Sequence, residues 1–114
     1  MDADITVRNN TGRGRYELLD DGAVVGRAYW AAFDGPAGPE RIFFHTTVDE
    51  DRAGQGLAST LVRQALADTA RSAIGIVPVC PYVKTWLSKH PEQTGVVAVR
   101  PEHLAALPSA EPTA

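Results

Sequence analysis

A single cysteine in 114 residues excludes an internal disulfide, so Cys80 is expected as a free thiol and the fold must rest on its core. A cytoplasmic location is the matching expectation. No apolar run approaches the roughly 20 residues of a membrane-spanning helix. The opening residues MDADITV carry no basic segment followed by an apolar core, which argues against a secretory signal. Basic residues are outnumbered, 11 against 14 acidic, for a net charge of -3. That balance excludes general nucleic-acid binding, which needs a basic face, and leans towards cationic partners such as amines. It leaves room for a local basic pocket holding one small anion. With one cysteine, and with His90 and His103 lacking ligand partners at metal spacing, no zinc site is expected. What is present is 44% hydrophobic and 22% charged, the composition of a globular chain, and its length suits one domain over 1–114.

The N-terminal half has strand periodicity. ITVRN (5–9) alternates and is β-branched, and NNTGRG supplies turn chemistry. RYELL (15–19) alternates again, DDG (20–22) reads as a hairpin turn, and AVVGRAYWAAF (23–33) returns as a longer strand. DGPAGPE (34–40) is a Gly/Pro break before RIFFHTTV (41–48), so a four-stranded antiparallel meander is expected. The period then changes. Leu57, Leu61, Val62, Ala65, Leu66 and Thr69 recur at helical spacing and predict a helix over 56–71. AIGIVPV (73–79) suits a buried strand, parallel to the one before the helix. Pro81 suits the first turn of a second helix, 81–89, ending before Pro91. GVVAV (95–99) reads as a short strand, PEHLAAL (101–107) as a helical turn, and 108–114 as a disordered tail.

Between the meander and the first helix lies DRAGQGLAST, residues 51–60. A strand, a glycine turn and a helix together present free backbone N–H groups and a positive helix end to an anion. The turn is not a P-loop, since no Lys-Ser/Thr pair follows the second glycine, and it is not the dinucleotide fingerprint, since G-x-G-x-x-G is absent. Alone, it is equally a plain strand-to-helix turn.

In its context the stretch resembles the signature [Q/R]-x-x-G-x-[G/A] of the GNAT superfamily of acyl-CoA-dependent N-acetyltransferases, read here as Ala53-Gly54-Gln55-Gly56-Leu57-Ala58. FFHTTV, GQGLAS and VPVCPYV...KHPE together are similar to a small single-domain GNAT subfamily, over roughly residues 5–92. The resemblance implies an α/β fold: a mixed sheet with an antiparallel N-terminal meander followed by a β-α-β-α unit. It departs from ordinary members between strands 1 and 2, where residues 10–14 are too few for the two helices that wall the acceptor site. A bulky acceptor, such as a protein tail, is expected there. Ala53 also departs from the usual Gln or Arg, although Arg52 stands one residue earlier.

The ligand so implied is acetyl-CoA, held by Ala53, Gly54, Gln55, Gly56, Leu57, Ala58 and Ser59 at its pyrophosphate and by Thr47 and Val48 along its pantetheine, with an unidentified amine as acceptor. Tyr82 is the nearest phenol to this site, and packing at the helix start is its competing role. His45 and Cys80 stand near the two strand ends and are the candidate catalytic pair. His45 is a candidate general base, or the group that holds Cys80 as thiolate; the alternative is a packed core histidine. Cys80 is a candidate acyl carrier or proton donor to the departing CoA sulfur, or else a small hydrophobe. The tyrosine that many GNAT enzymes use as acid would fall at Leu87, so it is absent. The expectation is an acetyl-CoA-binding N-acetyltransferase-like protein. Its alternative is a CoA-binding regulatory or partner-binding module without turnover.

Overall fold

The strands that alternation predicts form in chain order, and the computed structural model describes them within residues 4–108. They are β1 (Ile5–Asn10), β2 (Arg15–Asp20), β3 (Ala23–Gly35) and β4 (Gly38–Val48), each antiparallel to the next. A 3₁₀ turn (Glu50–Arg52) leads through the glycines to α1 (Leu57–Arg71), and β5 (Gly75–Pro78) returns parallel to β4. α2 (Pro81–Ser88) and α3 (Pro101–Ala105) follow. The sheet order is β1-β2-β3-β4-β5. Only residues 11–14 separate β1 from β2, and no helix lies between them, as the sequence led one to expect.

Local chemistry explains the turns. Asp21 and Gly22 both have positive φ, 53° and 89°, which matches the right-handed twist of the β2–β3 hairpin. The Gly/Pro break is narrower than 34–40: β3 and β4 pair out to Gly35↔Gly38, leaving Pro36 and Ala37 as a two-residue loop. β5 is shorter than 73–79, because Ala73 takes φ 59° immediately after the helix and cannot extend the strand. The strand expected over 95–99 reduces to one parallel bridge, Ile76↔Val96. Gly95 sits at φ 85° and Val96 is 46% exposed, so the segment has neither extended backbone at its start nor a face to bury. The tail lies outside the described residues apart from Pro108.

All six residues of the periodic stripe on α1 are buried. They pack with Tyr16, Leu18, Ala28, Phe43 and Ile76 of the sheet and with Val83 and Trp86 of α2, so both helices cover one sheet face. At the edge of that core the Tyr16 hydroxyl donates to Asp68 Oδ2 at 2.6 Å and accepts from Arg41 Nη1 at 2.7 Å. Burial, reinforced by the Asp68 hydrogen bond, pushes the phenol up to about 12. Among the described residues no helix is long and apolar enough to cross a membrane.

The opposite sheet face is charged, yet closed. Glu17, 1% exposed, accepts from Arg8 Nε at 2.8 Å, Arg15 Nε at 2.8 Å and Asn10 Nδ2 at 3.1 Å. Arg15 Nη1 goes on to the Tyr29 hydroxyl at 3.1 Å. At the far end of the same face α3 buries His103 completely. Its Nδ1 accepts the Arg100 main-chain N–H at 3.0 Å, and its Nε2 donates to Glu40 Oε1 at 2.7 Å.

Burial alone would raise the Glu17 pKa, but the hydrogen bonds from Arg15, Arg8 and Asn10 outweigh it and hold the carboxyl below its ordinary 4.5. A carboxylate depressed in the folded state contributes stability above its unfolded pKa and loses that contribution as pH falls through the folded one. Melting curves of the wild type should therefore decline as pH drops below 4.5. Glu17→Gln should flatten that decline while costing roughly 3 kcal/mol at pH 7, because Arg15 stays buried without its counter-charge. Equal acid sensitivity in the two proteins would contradict this account.

Candidate functional site

The β4–β5 ladder ends at Phe43↔Pro78. Beyond it the Phe43 carbonyl accepts the N–H groups of both Val79, at 3.0 Å, and Cys80, at 2.8 Å, and Pro81 then starts α2. β4 runs on to Val48 beside β3 alone. On their β5 side, residues 44–48 have no strand partner among the described residues. The strands part at a bulge: consecutive residues Tyr29 and Trp30 oppose His45 and Phe43, so Phe44 is the inserted residue. A bulge increases local twist and re-aims the side chains that follow it.

The glycine turn closes the other side of this opening. Gly54 and Gly56 have φ values of 82° and 73°, left-handed conformations that side chains resist. Gly56 is the residue preceding α1, which begins without a side-chain cap and without an acidic residue in its first turn. The first i to i−4 bond is donated by Thr60, to the Gly56 carbonyl at 3.2 Å. Main-chain N–H groups before Thr60 thus have no helical acceptor, and the positive end of the helix dipole lies among them.

The end of β4, the glycine turn and the first turns of α1 and α2 enclose a cleft of about 310 Å³ lined by Val48, Arg52, Ala53, Gly54, Gly56, Leu57, Ala58, Ser59 and Tyr82. Among the described residues its lining carries one cation and no carboxylate, together with N–H groups of a helix start that have no helical acceptor, which is a donor set suited to a phosphate-type anion. Eight of the twelve residues expected at the site therefore meet here. Gln55 is exposed and outside the lining, and Thr47 pairs with Arg27 on β3. Tyr82, for which packing was a competing role, is 39% exposed at the cleft, so its ring contributes wall and not core. Ser59 also ties α1 to α2, since its Oγ accepts from Trp86 Nε1 at 3.1 Å.

His45 and Cys80 do not meet directly. Cross-strand partners share a face, and the register aligns Tyr16, Ala28 and Thr46 on the helix face and Arg15, Tyr29 and His45 on the other. Cys80, 4% exposed, donates from Sγ to Thr46 Oγ1 at 3.5 Å on the helix side. The His45 imidazole lies beside the Tyr29 ring, with centroids 5.8 Å apart and planes tilted by 31°. The inserted Phe44 is what separates them in this way, and no alternation rule read from the sequence reveals such an insertion. Arg52, noted in the sequence only as a neighbour of the motif, is a lining residue. Its proximity to Ala53 was the only available signal.

Comparison with known proteins agrees with this fold. The family model described as GCN5-related N-acetyl-transferase matches residues 15–96. Among solved structures the chain is similar to the ribosomal-protein-alanine N-acetyltransferase from Brucella melitensis biovar Abortus 2308. The identity is 27% and the TM-score 0.53, over 75% of this chain and 64% of that one. The chain thus spans slightly less than two thirds of that enzyme's length. An aminoglycoside acetyltransferase, meta-AAC0020, from an uncultured soil metagenomic sample shares the fold with 11% identity and a TM-score of 0.50, over 97% of this chain and 73% of that one. No curated protein gives a significant match.

The left-handed backbone at the start of α1 sets a cost for losing glycine. Gly56→Ala should destabilise the protein by about 1–2 kcal/mol, since an L-residue pays that much in this conformation. Thermal melting would register the loss as a drop of several degrees, and an unchanged melting point would show that the turn does not require the left-handed geometry.

Proposed function

The chain belongs to the GCN5-related N-acetyltransferase family, and from that premise we propose that it binds acetyl-CoA in the cleft between β4 and α1. We further propose that it transfers the acetyl group to an amine of a protein or peptide, as one domain spanning the chain. The observation that carries this reading is the meeting, in one cleft, of the end of β4, beyond its pairing with β5, and the N–H groups at the left-handed glycine turn that have no helical acceptor. When bound, acetyl-CoA supplies an acetyl group activated as a thioester. In this reading the main chain of Ala53 to Ser59, with Gly54 and Gly56 allowing close approach, holds its pyrophosphate. Val48 and the main chain of Thr47 line the path of its pantetheine, and Tyr82 forms the opposite wall.

Aminolysis of a thioester needs a base to deprotonate the incoming ammonium and an acid to protonate the departing thiolate. We assign these roles to opposite faces of β4. Cys80, on the helix face with its thiol against Thr46, acts as the acid; His45, on the other face beside Tyr29, acts as the base. Their separation favours this division of labour over an acyl-cysteine relay in which His45 would activate Cys80. The acceptor then approaches from the His45 face. There the four-residue β1–β2 connection erects no wall, which suits a polypeptide better than an enclosed small molecule. The name of the 27% identical structural neighbour, a ribosomal-protein-alanine N-acetyltransferase, supports a protein amine as the acceptor class.

Isothermal titration of the purified protein with acetyl-CoA and with CoA tests the donor assignment, with a Kd of about 1 μM to 1 mM expected, the range of typical KM values for enzyme substrates. Thiol release during incubation with acetyl-CoA and peptides bearing free N-terminal amines tests transfer. His45→Gln and Cys80→Ala should each lower kcat by roughly 100-fold, the ordinary contribution of one general acid or base, with little change in the KM for acetyl-CoA. Binding without any transfer would indicate a CoA-binding module, and an acetyl group found on Cys80 by intact mass would reinstate the relay.

A further inference from the structure

Arg52 is the one charged side chain lining the cleft among the described residues. It closes the 3₁₀ turn Glu50–Arg52, which follows β4 after Asp49, and precedes Gly54 and Gly56 in the chain. Its guanidinium is already engaged: Arg52 Nη1 donates to Asp20 Oδ2. Asp20 comes from a distant part of the chain. It is the last residue of β2, fixed by its register with Ile5 on β1 and Ala23 on β3, just before the tight turn at Asp21 and Gly22. The side chain of Asp20 is 14% exposed and that of Arg52 30%. Each is held well enough to be directional and is wet enough to exchange partners.

The surrounding charges sharpen the point. Asp49, at the start of the same segment, is occupied by Arg27, whose Nη1 lies 2.8 Å from its Oδ1. Among the described residues Asp20 is therefore the carboxylate paired with the cation that lines the cleft. A guanidinium fork recognises carboxylate and phosphate through the same geometry, so a ligand phosphate in the cleft and Asp20 make the same demand on Arg52. A partly exposed ion pair contributes little to stability, so redirecting Arg52 costs the fold little.

We propose that Asp20, which lies outside the glycine turn, sets the affinity of the cleft for CoA by competing with the ligand's pyrophosphate for the Arg52 guanidinium. The inference rests on the acetyl-CoA reading of the cleft and adds to it a residue that acts through another. Its signature is a gain of affinity on removing a charge, an outcome that structural damage does not produce.

The test is isothermal titration of CoA and of 3′-dephospho-CoA into the wild type, Asp20→Asn, Arg52→Gln and the double variant, at low and at high salt, with melting curves as the control for folding. Arg52→Gln should weaken CoA binding about tenfold and Asp20→Asn should tighten it about fivefold at low salt, both effects shrinking as salt screens them. In the double variant the Asp20→Asn gain should vanish, because its route runs through Arg52. The same pattern with 3′-dephospho-CoA supports the pyrophosphate as the competing group, whereas effects confined to CoA overturn that assignment. If the wild type binds CoA but Asp20→Asn leaves affinity unchanged or weakens it in a normally melting protein, the competition is overturned and the cleft assignment stands. If the wild type binds neither ligand, the cleft assignment fails and the competition falls with it.

Discussion

Much of the molecule is organised by one main-chain acceptor. The Phe43 carbonyl takes the N–H groups of both Val79 and Cys80, and in doing so ends the parallel ladder and diverts the chain into α2. Had β5 continued, the edge of β4 from Phe44 to Val48 would be paired and there would be no opening. Pro81 enforces the diversion, since it has no N–H to donate to a longer strand and its fixed φ suits a helix start. The bulge at Phe44 acts on the same few residues from the other side, keeping β4 tied to β3 while the register shifts. The opening, the position of Cys80 at its edge and the split between His45 and Cys80 all follow from these two features.

The two faces of the sheet solve different problems. One is closed by apolar packing, with the α1 stripe and Trp86 of α2 against Tyr16, Phe43 and Ile76. Among the described residues the other carries only the short α3, and its centre is closed by long polar side chains. Arg8 and Arg15 lie over Glu17, and the buried carboxylate is tolerable only because three donors surround it. With only a four-residue connection between β1 and β2, no helix from that point of the chain covers this charged layer.

Charge within the cleft follows a similar logic. The glycine turn offers donors that cannot be neutralised, since they belong to the main chain, whereas Arg52 is a cation with a competing partner close by. An acidic chain with net charge -3 can therefore present main-chain donors and a cation in one cleft without building a basic patch.

The sequence by itself determined the meander, the helical stripe and the glycine turn, because period, turn chemistry and the conformational preference of glycine are local properties. Leu57, Leu61, Val62, Ala65, Leu66 and Thr69 could be read as one buried face from their spacing alone, and Asp21-Gly22 as a tight turn from its residue types. Family membership was legible through the same short motifs. The inserted Phe44, the double acceptor at Phe43 and the Asp20–Arg52 pair were not legible. Each depends on which strand lies beside which and in what register, and a contact spanning 32 positions leaves no periodic trace. His103 shows the limit equally well: its spacing places it only in a terminal helical turn, yet tertiary packing seals it against Glu40, 63 positions away, where its ring nitrogens find their partners. What only the tertiary structure decided was therefore the set of long-range polar pairings, because their partners are chosen by the fold and not by the neighbouring chain.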